Sequence, residues 1–94
     1  MKLDKQRRLT IPVFFIERHS LKPGKHYLYD FKGKLSIISE IRENDKLLAE
    51  VTMDSKNRII IPTFLKCYVD FSEEIIIYEK DGKIWIENYE KVAE

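Results

Sequence analysis

Asp4-Lys5-Gln6-Arg7-Arg8-Leu9-Thr10-Ile11-Pro12 realigns on Asp54-Ser55-Lys56-Asn57-Arg58-Ile59-Ile60-Ile61-Pro62 at an offset of 50 residues. Asp, Arg, Ile and Pro recur in register, and Phe14 matches Phe64 at the same offset. After a one-residue deletion, Tyr29, Gly33, Lys34 and Ile37 match Tyr78, Gly82, Lys83 and Ile86. Residues 1–38 and 51–87 are therefore two copies of one unit. Two copies are too few for a solenoid, which needs about three stacked repeats to bury its faces. The chain of 94 residues reads instead as a single domain, with repeat one over 1–39, a linker over 40–46, repeat two over 47–88 and a tail over 89–94.

Local signals within the two units agree. Met1–Leu3 and Leu47–Met53 read as short strands, each entering a polar turn that starts on an aspartate, whose side chain can accept from its own turn. Arg8–Ile11 and Arg58–Ile61, rich in branched apolar residues, read as second strands. Proline then stops the strand and suits the first position of a helix, so short helices are expected over Pro12–His19 and Pro62–Val69. Phe14, Phe15 and Arg18, and likewise Phe64, Leu65 and Tyr68, give each helix an apolar stripe. A hairpin follows in each unit: His26–Asp30 with Lys34–Ile38 around Gly33, and Ile75–Glu79 with Lys83–Glu87 around Gly82. A β-β-α-β-β unit this small cannot cover its own apolar sheet face, whereas two copies can cover each other. The polar linker Glu40–Lys46 has room for a helical turn.

Composition narrows the function classes. Hydrophobic residues at 44% and charged residues at 35%, with three Gly and three Pro, describe an ordered globular chain. No apolar run approaches the roughly 20 residues that span a bilayer, so the expected location is cytoplasmic, with no membrane partner. Cys67 is the lone cysteine and cannot form an internal disulfide. Net charge is only +1, but residues 1–47 carry +5 and residues 48–94 carry −4. Such asymmetry fits either an anion-facing surface or two halves that attract one another.

The pattern of strand, Asp-x-x-x-Arg, apolar-x-Ile-Pro, short helix and hairpin resembles the AbrB, MazE and SpoVT swapped-hairpin superfamily, and its doubling in one chain resembles the MraZ family. The resemblance implies a mostly β fold with short helices, an AbrB-like swapped-hairpin β-barrel made by two tandem repeats as an intrachain pseudo-dimer. It further implies a transcription regulator that binds double-stranded DNA at the nucleoid without metal or cofactor, with self-association left open. By position, Arg8 and Arg58 stand at the motif arginine, with Lys5 and Lys56 in the same turns. The family pattern has Gly before that arginine, where a positive φ is needed; here Arg7 and Asn57 stand there. Asn tolerates that conformation and Arg does not, so a first turn of different shape is expected.

Physically, a turn with Lys5, Arg7 and Arg8 beside a helix with Arg18 and His19 can present several donors to phosphates, and an arginine can also fork onto a guanine edge. The bland alternative is that Asp4 pairs with Arg8, and Asp54 with Arg58, to brace each turn. Both can hold, since an aspartate that orients an arginine also preorganises it. A carboxylate dyad of Asp4 and Asp54 would need two acids in close contact and shielded from cations, which basic turns do not offer, so no enzyme and no small-molecule substrate are expected. His19, His26 and Cys67 lack metal-ligand spacing, and Trp85, Tyr78 and Tyr29 read as packing residues on hairpin strands. The other function class is a protein-interaction module, such as an antitoxin or the assembly domain of a regulator. The short tail after Asn88 disfavours an antitoxin, and the acidic second half leaves room for a protein partner.

Overall fold

The computed structural model describes residues 3–93 and is mostly β, with short helical segments. Its elements are β1 (Arg8–Thr10), α1 (Val13–Arg18), β2 (Gly24–Phe31), β3 (Lys34–Ile38), β4 (Lys46–Met53), β5 (Arg58–Ile60), a 3-10 turn (Thr63–Cys67), β6 (Ile75–Lys80), β7 (Lys83–Asn88) and α2 (Tyr89–Ala93). The expected strand over Met1–Leu3 lies outside the described residues except for Leu3, which is in no strand. Helix α2, in the tail, was not anticipated from the sequence.

The strands form two sheets. One is an antiparallel ribbon that pairs β1 with β5, and the other has five strands in the order β4-β2-β3-β7-β6. No closed barrel forms among the described residues, because β4 and β6 remain edges of the larger sheet. Hairpin β2-β3 comes from repeat one and β6-β7 from repeat two, and they join in the middle through Leu35 opposite Ile86 and Ile37 opposite Ile84. Both hairpins turn through two residues at positive φ, Lys32 (57°) and Gly33 (81°), then Asp81 (54°) and Gly82 (73°). That is the turn whose twist matches paired strands.

Alternation along the five strands places Leu28, Leu35, Ile37, Ile75, Ile77, Ile84 and Ile86 on one face, all buried. Against that core pack Leu9 and Ile59, facing pair of the ribbon and both 0% exposed, together with Ile11, Ile61 and Leu65. The ribbon thus covers what neither hairpin covers alone. The opposite sheet face carries Tyr29, which is nevertheless buried because the linker folds over it: the Arg42 N–H donates to the Tyr29 hydroxyl at 2.6 Å. The linker is a bend and turn, not helical, and Lys46 already belongs to β4.

Each repeat reaches across to the other. The Ile11 N–H donates to the Asn57 carbonyl at 2.8 Å, and the Ile61 N–H to the Arg7 carbonyl at 3.0 Å. Arg18 and His19, at the end of α1, meet Glu79 on β6 at 2.9 and 2.5 Å. Tyr68, after the 3-10 turn of repeat two, donates to Asp30 on β2 at 2.7 Å. Helical segments therefore seat on the hairpin of the other repeat.

Two local expectations are corrected. The prolines sit one residue before the helical segments, with ψ of 141° at both Pro12 and Pro62, so each ends a strand in extended backbone and its carbonyl starts the helical hydrogen bonds. Phe14 and Phe64 do not join the apolar stripe; each is 61% exposed, because Phe15, Ile16 and Leu65 take the inward positions.

Candidate functional site

The two motif turns are built alike. In the first, the Asp4 carboxylate accepts from the Gln6 N–H at 2.9 Å, the Arg8 N–H at 3.1 Å and the Arg8 Nε at 2.6 Å. In the second, Asp54 accepts from the Lys56 N–H at 2.9 Å, the Arg58 N–H at 3.0 Å and the Arg58 Nε at 2.8 Å. The Arg8 backbone N–H, then its side chain, holds the Asp4 carboxyl below the usual carboxylate range; Arg58 does the same for Asp54. Each carboxylate is thus engaged inside its own turn.

The turn closes through a left-handed residue in both copies, Arg7 at φ 59° and Asn57 at φ 62°. The expected difference in turn shape is thus absent. Arg7 has a compensation that the sequence did not reveal: its Nε donates to the Ile61 carbonyl at 3.1 Å. This contact ties Arg7 into the crossing between repeats through Nε.

The ribbon's register decides where the motif arginines point. Arg8 lies opposite Ile60, and Thr10 opposite Arg58, while the intervening pair Leu9 and Ile59 faces the core. Arg8, Thr10, Arg58 and Ile60 therefore share the outward face. Two residues of register, about 7 Å along the strand, separate the arginines of the two repeats. Their side chains are 36% and 30% exposed, and only Nε is engaged by the aspartate, so among the described residues neither terminal amino group has a partner. Lys5 and Lys56 are exposed on turns at opposite ends of the ribbon. Neither forms an ion pair among the described residues.

Arg18 is not part of this constellation, because Glu79 draws it to the hairpin of repeat two, where its guanidinium also lies 5.8 Å from the Phe14 ring centre. His19 shares Glu79, and His26 is buried with Nε2 at 2.7 Å from the Lys22 carbonyl. Among the described residues no group of three His, Cys, Asp or Glu side chains could hold a metal. No helix among them is long and apolar enough to cross a membrane. Sequence reading missed Thr10 and Ile60, which complete the outward ribbon face, and the exposed Val13, Phe14 and Phe64 near it. Strand alternation was the available signal for the first two. Comparison of the chain with protein-family models, curated proteins and solved structures returns no match.

Proposed function

We propose that this chain is a DNA-binding transcription regulator of AbrB/MraZ type, holding double-stranded DNA on the outward face of the β1·β5 ribbon and acting at the nucleoid. The observation that supports this is the meeting of Arg8 and Arg58, one from each repeat, on one exposed ribbon face, each steadied by its own aspartate. A two-stranded ribbon fits the major groove, and arginine is suited to forking onto guanine or phosphate. Lys5 and Lys56, beyond the ribbon's ends, are placed for backbone phosphates on either side. The reciprocal seating of each helical segment on the other repeat's hairpin supports reading the architecture as an intrachain swapped-hairpin pseudo-dimer, open at β4 and β6.

The test is selection from random duplexes at two salt concentrations, followed by titration of the Arg8→Ala/Arg58→Ala double variant. Selection of a consensus site, with affinity lost in the variant, is the expected result. Unchanged affinity in the variant excludes the ribbon. A protein-interaction module is favoured by a different observation, the exposed Val13, Phe14 and Phe64 at the starts of the two helical segments. Recovery of no duplex, together with concentration-dependent association lost in Phe14→Ser/Phe64→Ser, would favour that reading.

A further inference from the structure

The sheet face turned away from the core holds a groove of about 320 Å³ between the two hairpins. Its walls are aromatic. Trp85 on β7 lies beside Tyr78 on β6, and the Phe31 ring meets Trp85 edge to face with centres 5.9 Å apart. The polar atoms of these rings are already used: the Trp85 indole N–H donates to the Lys80 carbonyl at 2.9 Å, and the Tyr78 hydroxyl donates to Glu87. Burial, then Glu87, pushes the Tyr78 hydroxyl up to about 12, so it remains a donor to that carboxylate at neutral pH. What the rings still offer a ligand is their faces.

The rim is cationic. Lys32, Lys34, Lys80 and Lys83 line the groove with Asp81 as the one acid among its lining residues. Lys83 is poised over the Phe31 ring at 5.3 Å, and Lys34 stands 3.8 Å from Glu87. Aromatic faces beside a rim of ammonium groups suit a ligand that is planar at one end and anionic at the other. At this volume the groove holds one small unit rather than a folded segment. Duplex DNA cannot offer it such a unit, since paired bases keep their faces stacked inside the helix.

We propose that this groove is a nucleotide-binding site, in which a base stacks on Trp85 and Tyr78 while its phosphate meets the lysines. It is separate from the ribbon and does not depend on the ribbon's binding DNA. No free donor or acceptor of the rings faces the base edge, so stacking strength sets the preference and purines bind better than pyrimidines.

Trp85 is the only tryptophan, so its fluorescence reports directly on the groove. Intact protein is titrated with adenosine monophosphate, adenosine, inorganic phosphate, a single-stranded adenine hexamer and a blunt duplex. Saturable quenching by adenosine monophosphate is expected, with adenosine and phosphate each weaker by about ten-fold or more, the loss of one stacking or charge contribution. Lys80→Ala/Lys83→Ala should weaken the nucleotide by a similar factor, and Lys32→Ala/Lys34→Ala serves as the second variant if the first does not fold. A hexamer that binds more tightly than the mononucleotide identifies unpaired strand as the source; the reverse order identifies free nucleotide. Absence of quenching by both, quenching by phosphate as strong as by nucleotide, or affinity unchanged in a folded lysine variant overturns the proposal. Duplex binding is followed in parallel on the lysine variants, so a failed ribbon and a failed groove give different patterns.

Discussion

The two repeats make the same turn from different residues, and the difference shows which parts of the motif are structural. Aspartate and arginine, four residues apart, are common to both, and in both the carboxylate binds the arginine and two backbone N–H groups. The residue before the arginine differs: Asn57 adopts a positive φ that suits it, while Arg7 adopts one that costs about 1 kcal/mol, because its Cβ crowds the carbonyl oxygen. The helical segments diverge further. Repeat one forms an α-helix with no buried residue, tied by Arg18 and His19 to Glu79; repeat two forms a 3-10 turn that buries Leu65 and ties by Tyr68 to Asp30. Turn geometry is thus shared, and the means of fastening is not.

The largest test of equivalence lies at the ribbon's centre. Leu9 and Ile59 face each other at 0% exposure, so Leu9→Ala and Ile59→Ala should each lower unfolding free energy by about 2–5 kcal/mol. Denaturant titration reads both. A loss under about 1 kcal/mol for one of them would show that the ribbon closes over only one repeat's core. Residues 1–46 alone should fold only as a homodimer, since they lack the partner strand and hairpin that cover β1 and β2-β3. A stable monomer of that fragment, detected by sedimentation, would break the symmetry argument.

The two fastenings should differ less. Glu79 is half-buried and receives two partners, whereas Tyr68 makes one hydrogen bond, so Glu79→Ala should cost about 2 kcal/mol and Tyr68→Phe about 1 kcal/mol. Only the second carries an alkaline signature. The hydrogen bond to Asp30 and burial push the Tyr68 hydroxyl up to about 12 from 10.0, so its contribution is complete below pH 10 and lost as pH rises through about 12. Asp4, Asp30 and Asp54 behave in the opposite sense: held below 3.8, they add stability above that value and lose it as pH falls through their folded pKa values. Melts across pH for wild type and Tyr68→Phe check this; an alkaline limb that survives unchanged in Tyr68→Phe assigns it elsewhere, Tyr78 being the nearest alternative.

Much of this comparison was legible in the chain. The 50-residue offset, the turn aspartates and Gly33 and Gly82 are local signals, and they located both strands of each hairpin and both motif turns. What stayed hidden was set by contacts distant in sequence. Tyr29 is buried on the outward sheet face only because the linker returns over it, and Arg18 leaves the turn because Glu79, 61 positions away, offers a carboxylate. Trp85 and Tyr78 read as packing residues because alternation alone does not say whether a second layer covers a sheet face; here their strands leave it open as a groove.

For duplex DNA the comparison predicts unequal arginines. On the proposed ribbon reading, repeat one carries Arg7 where repeat two has Asn57, in a turn within the basic half of the chain, so Arg8→Ala should weaken binding more than Arg58→Ala, by about ten-fold against about three-fold. Loss of a phosphate contact also flattens the plot of log affinity against log salt by about one unit, whereas loss of a base contact chiefly relaxes sequence preference. Titrations across a salt series separate these outcomes. Equal losses would mean that the two repeats present one symmetric surface.

The smallest effect concerns Arg7, where strain and compensation nearly cancel. Arg7→Ala keeps the left-handed backbone but removes the Nε bond to the Ile61 carbonyl, so it should cost about 1 kcal/mol. Arg7→Gly removes the bond and the strain together, and should fall within about 0.5 kcal/mol of wild type. Asn57→Gly has little strain to relieve and no such side-chain bond in the second turn to lose, so it too should stay within about 0.5 kcal/mol. Denaturation of all three variants in one buffer measures the pair of terms: the gap between Arg7→Gly and Arg7→Ala is the backbone strain, and the loss in Arg7→Ala against wild type is the value of the crossing bond. Should Arg7→Gly prove clearly more stable than Asn57→Gly, the bond to Ile61 contributes nothing, and the arginine at position 7 is held there for something other than the fold.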